Sequence, residues 1–172
     1  MQDLPGKLRK AEPDDTHAIV ALIAQAMNAE EGTFARRALH HHFGCCHAGI
    51  DDGRTYLCWM RDEGLSGVTG LHHYHWGPPQ NVWLAWFAVR KDLHGRGYGR
   101  KLMQATINCA IDREFDKLFV ETYDSPDFEK ARRFYRKAGF KQCGSIDAYL
   151  SSGAAMIVFC LQLRNMPGYD KQ

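Results

Sequence analysis

No run of apolar residues in this sequence approaches the ~18 that a membrane-crossing helix needs, which excludes a helical span. The opening residues, MQDLPGKLRK, lack the apolar stretch of a secretory signal, so the cytoplasm is the expected location. An excess of either charge is also missing. Lysine and arginine number 22 against 20 acidic residues, a formal charge of +2. That balance gives no reason to expect nucleic acid or a membrane surface as a partner. No internal repeat or low-complexity segment is present, and only the tail Asn165 to Gln172 reads as disordered.

Cysteine is not scarce. The six residues are Cys45, Cys46, Cys58, Cys109, Cys143 and Cys160, an even count. Their spacing shows no compact disulfide framework, and Cys58, Cys109 and Cys160 fall inside apolar patterns. Reduced, mostly buried thiols are the expectation. A chain of 172 residues with 45% hydrophobic content can build one core without staples. One domain over residues 7–164 is therefore expected, followed by the tail 165–172.

Periodicity supplies the elements. Leu8 to Ala11 reads as a short strand, and Glu12-Pro13-Asp14-Asp15 as a helix start. Ile19, Leu22, Ile23, Ala26 and Met27 share a helical face. A second helix is predicted from about Glu31 to His42, with Phe34, Ala38 and Leu39 inward, ending in a polar loop between Gly44 and Gly49. Strands follow at Thr55 to Met60, Gly67 to about His75 and Val82 to Val89, joined by short turns. A helix over Arg100 to Arg113 then crosses to a strand at Lys117 to Thr122, which implies a parallel pair. A last helix carries Phe128, Ala131, Phe134, Tyr135 and Ala138 and is capped by Gly139. Strands at Phe140 to Ser145 and Ala154 to Leu163 complete the order β-α-α-β-β-β-α-β-α-β-β. The fold class is α+β with a mixed sheet.

The chemistry concentrates between the second and third helix-forming segments. The strand Val82 to Val89 runs through a short connector into His94-Gly95-Arg96-Gly97-Tyr98-Gly99, which opens directly into a helix. Free N–H groups and the dipole at a helix start favour an anion. Glycine lets the backbone approach a phosphate closely. A pyrophosphate-bearing ligand is expected. A P-loop would need Gly-x-x-x-x-Gly-Lys-Ser/Thr, which Lys101-Leu102 does not supply. A dinucleotide fingerprint would need a third glycine where Arg100 stands, although Glu121 could serve as its ribose-binding acid.

From Val82 to Phe140 the chain resembles the GNAT acetyltransferase superfamily. Its cofactor loop follows Gln/Arg-x-x-Gly-x-Gly/Ala, and His94-Gly95-Arg96-Gly97-Tyr98-Gly99 keeps the glycines while His94 departs from Gln or Arg. A second family element, Asn-x-x-Ala-x-x-Phe/Leu-Tyr-x-x-x-Gly-Phe, is matched by Phe128 to Phe140. There Ala131, Tyr135, Gly139 and Phe140 agree, and Phe128 replaces the asparagine. The resemblance implies the GNAT fold: about seven mostly antiparallel strands with a central parallel pair, and about four helices.

It also implies a direct acetyl transfer from acetyl-CoA to an amine. Main-chain groups of Phe87, Ala88 and Val89 would pair with the pantetheine arm, and the turn from His94 through Gly95, Arg96, Gly97, Tyr98 and Gly99 to Arg100 would hold the pyrophosphate. Ala131, Phe134 and Tyr135 would also meet the cofactor. An N–H near Val89 would stabilise the thioester oxygen, and Tyr135 would protonate the departing thiolate. Acetyl-CoA and an amine acceptor, small molecule or protein, are the expected partners, and a homodimer is among the expectations. The competing functions are an acyl-CoA sensor without turnover and a nucleotide-binding oxidoreductase.

The general base is open. The strand Val82 to Val89 has no ionisable side chain, where some relatives carry a glutamate. Glu121, Tyr123, Asp124, His72, His73, His75 and a water chain all compete. His40-His41-His42 with Cys45, Cys46 and His47 is read as a loop rather than a metal centre, and no metal is expected. Trp59, Trp76, Trp83, Trp86 and Tyr74 divide between core and one acceptor wall. Lys130, Arg132, Arg133, Arg136 and Lys137 are read as a solvated helix face.

Overall fold

A computed structural model describes residues 6–164; the tail 165–172 lies outside the described residues. The strands are β1 (Lys7–Lys10), β2 (Arg54–Arg61), β3 (Gly64–His72), β4 (Asn81–Val89), β5 (Lys117–Tyr123), β6 (Lys141–Ile146) and β7 (Met156–Gln162). The helices are α1 (Thr16–Ala26), α2 (Ala29–His47), α3 (Tyr98–Asp112) and α4 (Glu129–Lys137). One sheet runs β1-β2-β3-β4-β5-β7-β6, antiparallel except for β4 and β5. The predicted order of elements and the α+β class both hold.

Most of each predicted stripe turns inward, but Phe34 of α2 and Met27 just past α1 stay exposed, at 44% and 36%, and only Tyr135 of α4 is buried. Ile19, Val20, Leu22 and Ile23 bring α1 against one face of the sheet, with Ala35 and Leu39 of α2 in the same cluster. Met103, Ile107 and Ala110 of α3 and Tyr135 of α4 pack on the other face, around Leu118, Val120 and Phe159. Asp15 fixes the entry to α1. Its carboxylate takes two hydrogen bonds from Arg9, at 2.6 and 2.8 Å, and one from the Glu12 N–H at 2.8 Å. The α1–α2 contact needs Gly32, because a Cβ there would sit 2.7 Å from that of Ala24. No described helix is long and apolar enough to cross a membrane.

The second helix departs from expectation. It starts at Ala29, with the Asn28 side chain accepting from the Glu31 N–H at 2.8 Å. It also runs straight through Gly44 to His47. Glycine costs about 1 kcal/mol in a helix, but anchors on its N-terminal side hold the turn. His42 bonds Asp52 at 2.9 Å, and Phe43 packs against the α1–α2 core. The expected polar loop is therefore helix.

The cysteines also need correction. All six are free, but only Cys58 is buried; Cys46 and Cys143 are exposed and the other three are intermediate.

Candidate active site

Two local irregularities open a cleft at the centre of the sheet. The parallel pairing of β4 with β5 covers only Asn81↔Lys117, Val82↔Leu118 and Trp83↔Phe119. Beyond these the strands separate, and β5 continues against β7 alone. On its other edge β4 carries a bulge: Thr69 pairs with Phe87 but Leu71 with Leu84, leaving one extra residue on β4. Leu84 and Phe87 face α3 and α4, whereas Ala85, Trp86 and Ala88 face α1 and α2. A bulge bends and twists the strand that carries it. The resulting cleft holds about 960 Å³ and is lined by Leu84 to Val89 on one wall and Val120 to Tyr123 on the other. From Leu84 onward the β5 side of β4 has no strand partner among the described residues, so main-chain groups there are open to an extended ligand.

The glycine turn closes one end. Gly95 has φ +74° and Gly97 has φ +87°, the left-handed region where a Cβ is strained. The His94 N–H is spent on the Lys91 carbonyl at 3.1 Å and the Arg96 N–H on the Leu93 carbonyl at 3.3 Å. The first main-chain bond from the start of α3 is Lys101 N–H to the Gly97 carbonyl, at 3.1 Å. Among the described residues no carbonyl accepts from the N–H groups of Gly95, Gly97, Tyr98, Gly99 or Arg100. Those five amides form an anion-binding helix start.

The side chains of the turn divide. His94, Gly95, Gly97, Gly99 and Arg100 line the cleft; Arg96 and Tyr98 do not. The Tyr98 ring turns into the core, edge-on to Trp59 and beneath the Arg61 guanidinium. His94 Nε2 lies 2.8 Å from the Val89 carbonyl oxygen. A carbonyl can only accept, so Nε2 carries the proton. The next N–H, that of Arg90, donates to the Ser66 carbonyl at 3.0 Å. The peptide plane between Val89 and Arg90 is thus held at both ends.

Helix α4 supplies Ala131, Phe134 and Tyr135 to the cleft wall. Phe134 stacks on Phe87 with ring centres 5.4 Å apart. Tyr135 is 7% exposed and packs edge-on against Phe134 and Phe140. Burial pushes its phenol well above the ordinary value, so the group keeps its proton across the neutral range. Arg132 is not the solvated cation that the sequence suggests. It donates to the carbonyls of Tyr123 and Ser125 and pairs with Asp124, which ties α4 to the end of β5.

The far end of the cleft is acidic and aromatic. Glu121, His72 and Tyr123 line it, and so do Tyr74, Trp83 and Trp86. His73 and His75 do not. His73 Nδ1 lies 3.1 Å from the Asn81 carbonyl and His75 Nε2 lies 3.0 Å from that of Asp51. Burial, with Arg54 nearby, lowers His72 to about 4. Surrounding protein raises the Glu121 carboxyl above its ordinary value.

Three residues that sequence reasoning did not place also meet this cleft. Glu31 arrives from the first turn of α2, and its carboxyl is raised by burial and then by Glu30 and Glu121. The hydroxyls of Tyr56 and Thr122 are buried without a hydrogen-bond partner among the described residues, and both residues line the cleft. Asn28 three residues before Glu31 is a capping signal that could have located Glu31. Nothing local announces the other two.

The histidine–cysteine segment lies on the last turns of α2. The ligand atoms of His41, Cys45 and Asp52 fall within 4.8 Å of one another. Asp52 is already engaged by His42 Nδ1 at 2.9 Å, by the Arg54 N–H at 3.0 Å and by the Arg54 guanidinium at 3.0 Å. A hydrogen-bonded ion pair accounts for that carboxylate.

Comparison with known proteins agrees with this geometry. N-alpha-acetyltransferase 30 of Schizosaccharomyces pombe is 25% identical over 99 residues, 58% of this chain; the match spans 65% of that protein's length. A GNAT-family protein from Desulfovibrio desulfuricans superposes with a TM-score of 0.79 at 22% identity, covering 92% of this chain and 99% of that one. An aminoglycoside 6'-N-acetyltransferase solved with coenzyme A superposes with a TM-score of 0.72 at 13% identity, covering 94% and 99%. A model of the acetyltransferase (GNAT) family matches residues 17–140. Across most of its length, through the splayed strands and the glycine turn alike, this chain belongs to the GNAT acetyltransferase family.

Proposed function

We propose that the chain is an acetyl-CoA-dependent N-acetyltransferase of the cytoplasm, working without a metal. The observation that carries this reading is the cleft itself. Among the described residues, one end offers five amides at a helix start with no main-chain acceptor, the middle offers an edge of a bulged strand with no strand partner, and a buried phenol stands in the wall. These suit a pyrophosphate, a pantetheine arm and a thioester sulfur in that order. The coenzyme A held by the aminoglycoside acetyltransferase supports the same use of the fold.

In this reading the N–H groups of Gly95, Gly97, Tyr98, Gly99 and Arg100 grip the diphosphate, and Arg100 adds charge at the cleft wall. The main chain of Phe87, Ala88 and Val89 pairs with the amides of the arm. The Val89 N–H stabilises the oxygen that gains charge as the thioester is attacked. Glu121 takes the proton from the acceptor ammonium: it lines the acceptor end and its pKa is raised, whereas that of His72 is lowered to about 4. The amine nitrogen bonds to the acetyl carbon and the C–S bond breaks. Tyr135 then gives its proton to the thiolate.

Incubating protein, acetyl-CoA and an amine panel while following free thiol tests the reading. Amine-dependent thiol release is expected. Tight acetyl-CoA binding with no release from any amine would instead support a sensor.

A further inference from the structure

The acceptor end differs in chemistry from the phosphate end. Glu31 and Glu121 line it from α2 and β5, elements that do not pair in the sheet. Tyr74, Trp83 and Tyr123 line the same end. Trp83 stacks on Phe119 at 5.1 Å and meets Tyr74 edge-on at 6.1 Å. Tyr123 meets Tyr149 face to face at 6.2 Å. Deeper in, Tyr56 is 2% exposed, and its hydroxyl has no partner among the described residues. Its ring reaches across Gly70, where a Cβ would meet it at 2.7 Å.

We propose that this end takes a small aralkylamine with no carboxylate beside the nitrogen, its ammonium seated between Glu31 and Glu121 and its ring among Tyr74, Trp83 and Tyr123. Two carboxylates and several ring faces attract an ammonium and repel an anion. Burial raises the Glu31 carboxyl, and the charges of Glu30 and Glu121 raise it further, a repulsion that an ammonium relieves. Arg54 also lines the cleft, but Asp52 neutralises it. His72 stays uncharged at neutral pH. The ring faces of Tyr74, Trp83 and Tyr123 suit a flat ring.

The inference rests on the acetyltransferase reading, and the test separates the two. Phenethylamine, phenylalanine and a short peptide beginning with phenylalanine share one ring. Each is assayed for acetylation, and each is tested for thermal stabilisation of the protein saturated with coenzyme A. Phenethylamine should be preferred to phenylalanine by about 100-fold in kcat/KM, the scale of a like-charge contact. Glu31→Gln should narrow that ratio about tenfold, with KM for acetyl-CoA unchanged. Equal use of phenylalanine would mean that Arg54 accepts the carboxylate, and would overturn the inference while leaving the enzyme intact. Use of the peptide alone would replace the small amine with a protein N-terminus. Stabilisation by phenethylamine without turnover of any amine would sink the enzyme reading and keep the acceptor site. Neither binding nor turnover of phenethylamine would overturn the inference.

Discussion

The imidazole of His94 donates from Nε2 to the main-chain oxygen of Val89 at 2.8 Å, tying the glycine turn back to the last residue of β4. The family loop has Gln or Arg at this place, and the histidine keeps a side-chain donor there. His94→Ala should weaken coenzyme A binding about fivefold, the loss of one hydrogen bond worth ~1 kcal/mol. His94→Gln should recover most of it. Calorimetric titration of coenzyme A into the three proteins checks this; equal affinity of the alanine variant would detach the turn from the strand.

Removing the proton from the cleft wall should hurt turnover more than binding. Tyr135→Phe keeps the ring that packs on Phe134 and Phe140. Amine-dependent kcat is expected to fall by about 100-fold or more, with coenzyme A affinity within about twofold. Unchanged kcat would show that Tyr135 is a packing residue only.

Backbone conformation gives a sharper probe of the turn. Gly97 has φ +87°, and alanine there costs about 1–2 kcal/mol of strain. A turn that keeps its shape loses a few degrees of melting temperature to that strain; one that relaxes to escape it re-aims its amides, and Gly97→Ala should weaken coenzyme A about tenfold. A large loss of stability with full affinity would contradict the placing of the diphosphate.

The pH profile follows from Glu121. Its carboxyl lies above the ordinary 4.5 because surrounding protein disfavours the charge. The base works only when ionised, so kcat/KM should fall as pH drops through a midpoint above 4.5. Glu121→Gln should abolish that limb and lower kcat about 100-fold. A limb that survives the substitution would move the base elsewhere.

Acid stability depends on different carboxylates. At Asp52 burial raises the pKa, but hydrogen bonds from His42 and Arg54 outweigh it, so the carboxyl sits below 3.8. At Asp15 the Arg9 guanidinium has the same net effect. A depressed folded pKa contributes stability that is present above the unfolded value and lost as pH falls through the folded one. The melting temperature should change little from these groups between about pH 5 and 7 and drop below about pH 4. Asp52→Ala should cost about 3 kcal/mol at neutral pH by stranding its partners.

Much of this was legible from local pattern. Alternation and helical spacing placed the strands and helices in order, since most elements bury a face that their own residues define; β6, exposed along its whole length, is an exception. The glycines at 95 and 97 announced the turn, because few other residues adopt that backbone. What stayed hidden depends on contacts between distant segments. Gly44 reads as a helix stop until His42 meets Asp52. Arg132 reads as a surface cation until β5 ends beside it. Glu31 and Tyr56 acquire meaning only where α2 and β2 meet the splayed strands. The narrowing of the anion site to five amides also came from structure, because the bonds from His94 and Arg96 depend on how the connector before the turn is wound.

The account is tested most directly by titrating coenzyme A into isotope-labelled protein and following backbone amides by NMR. The largest shifts should fall on Gly95, Gly97, Tyr98, Gly99 and Arg100, with a second group at Phe87, Ala88 and Val89. Saturable binding that leaves those eight amides unmoved would contradict it.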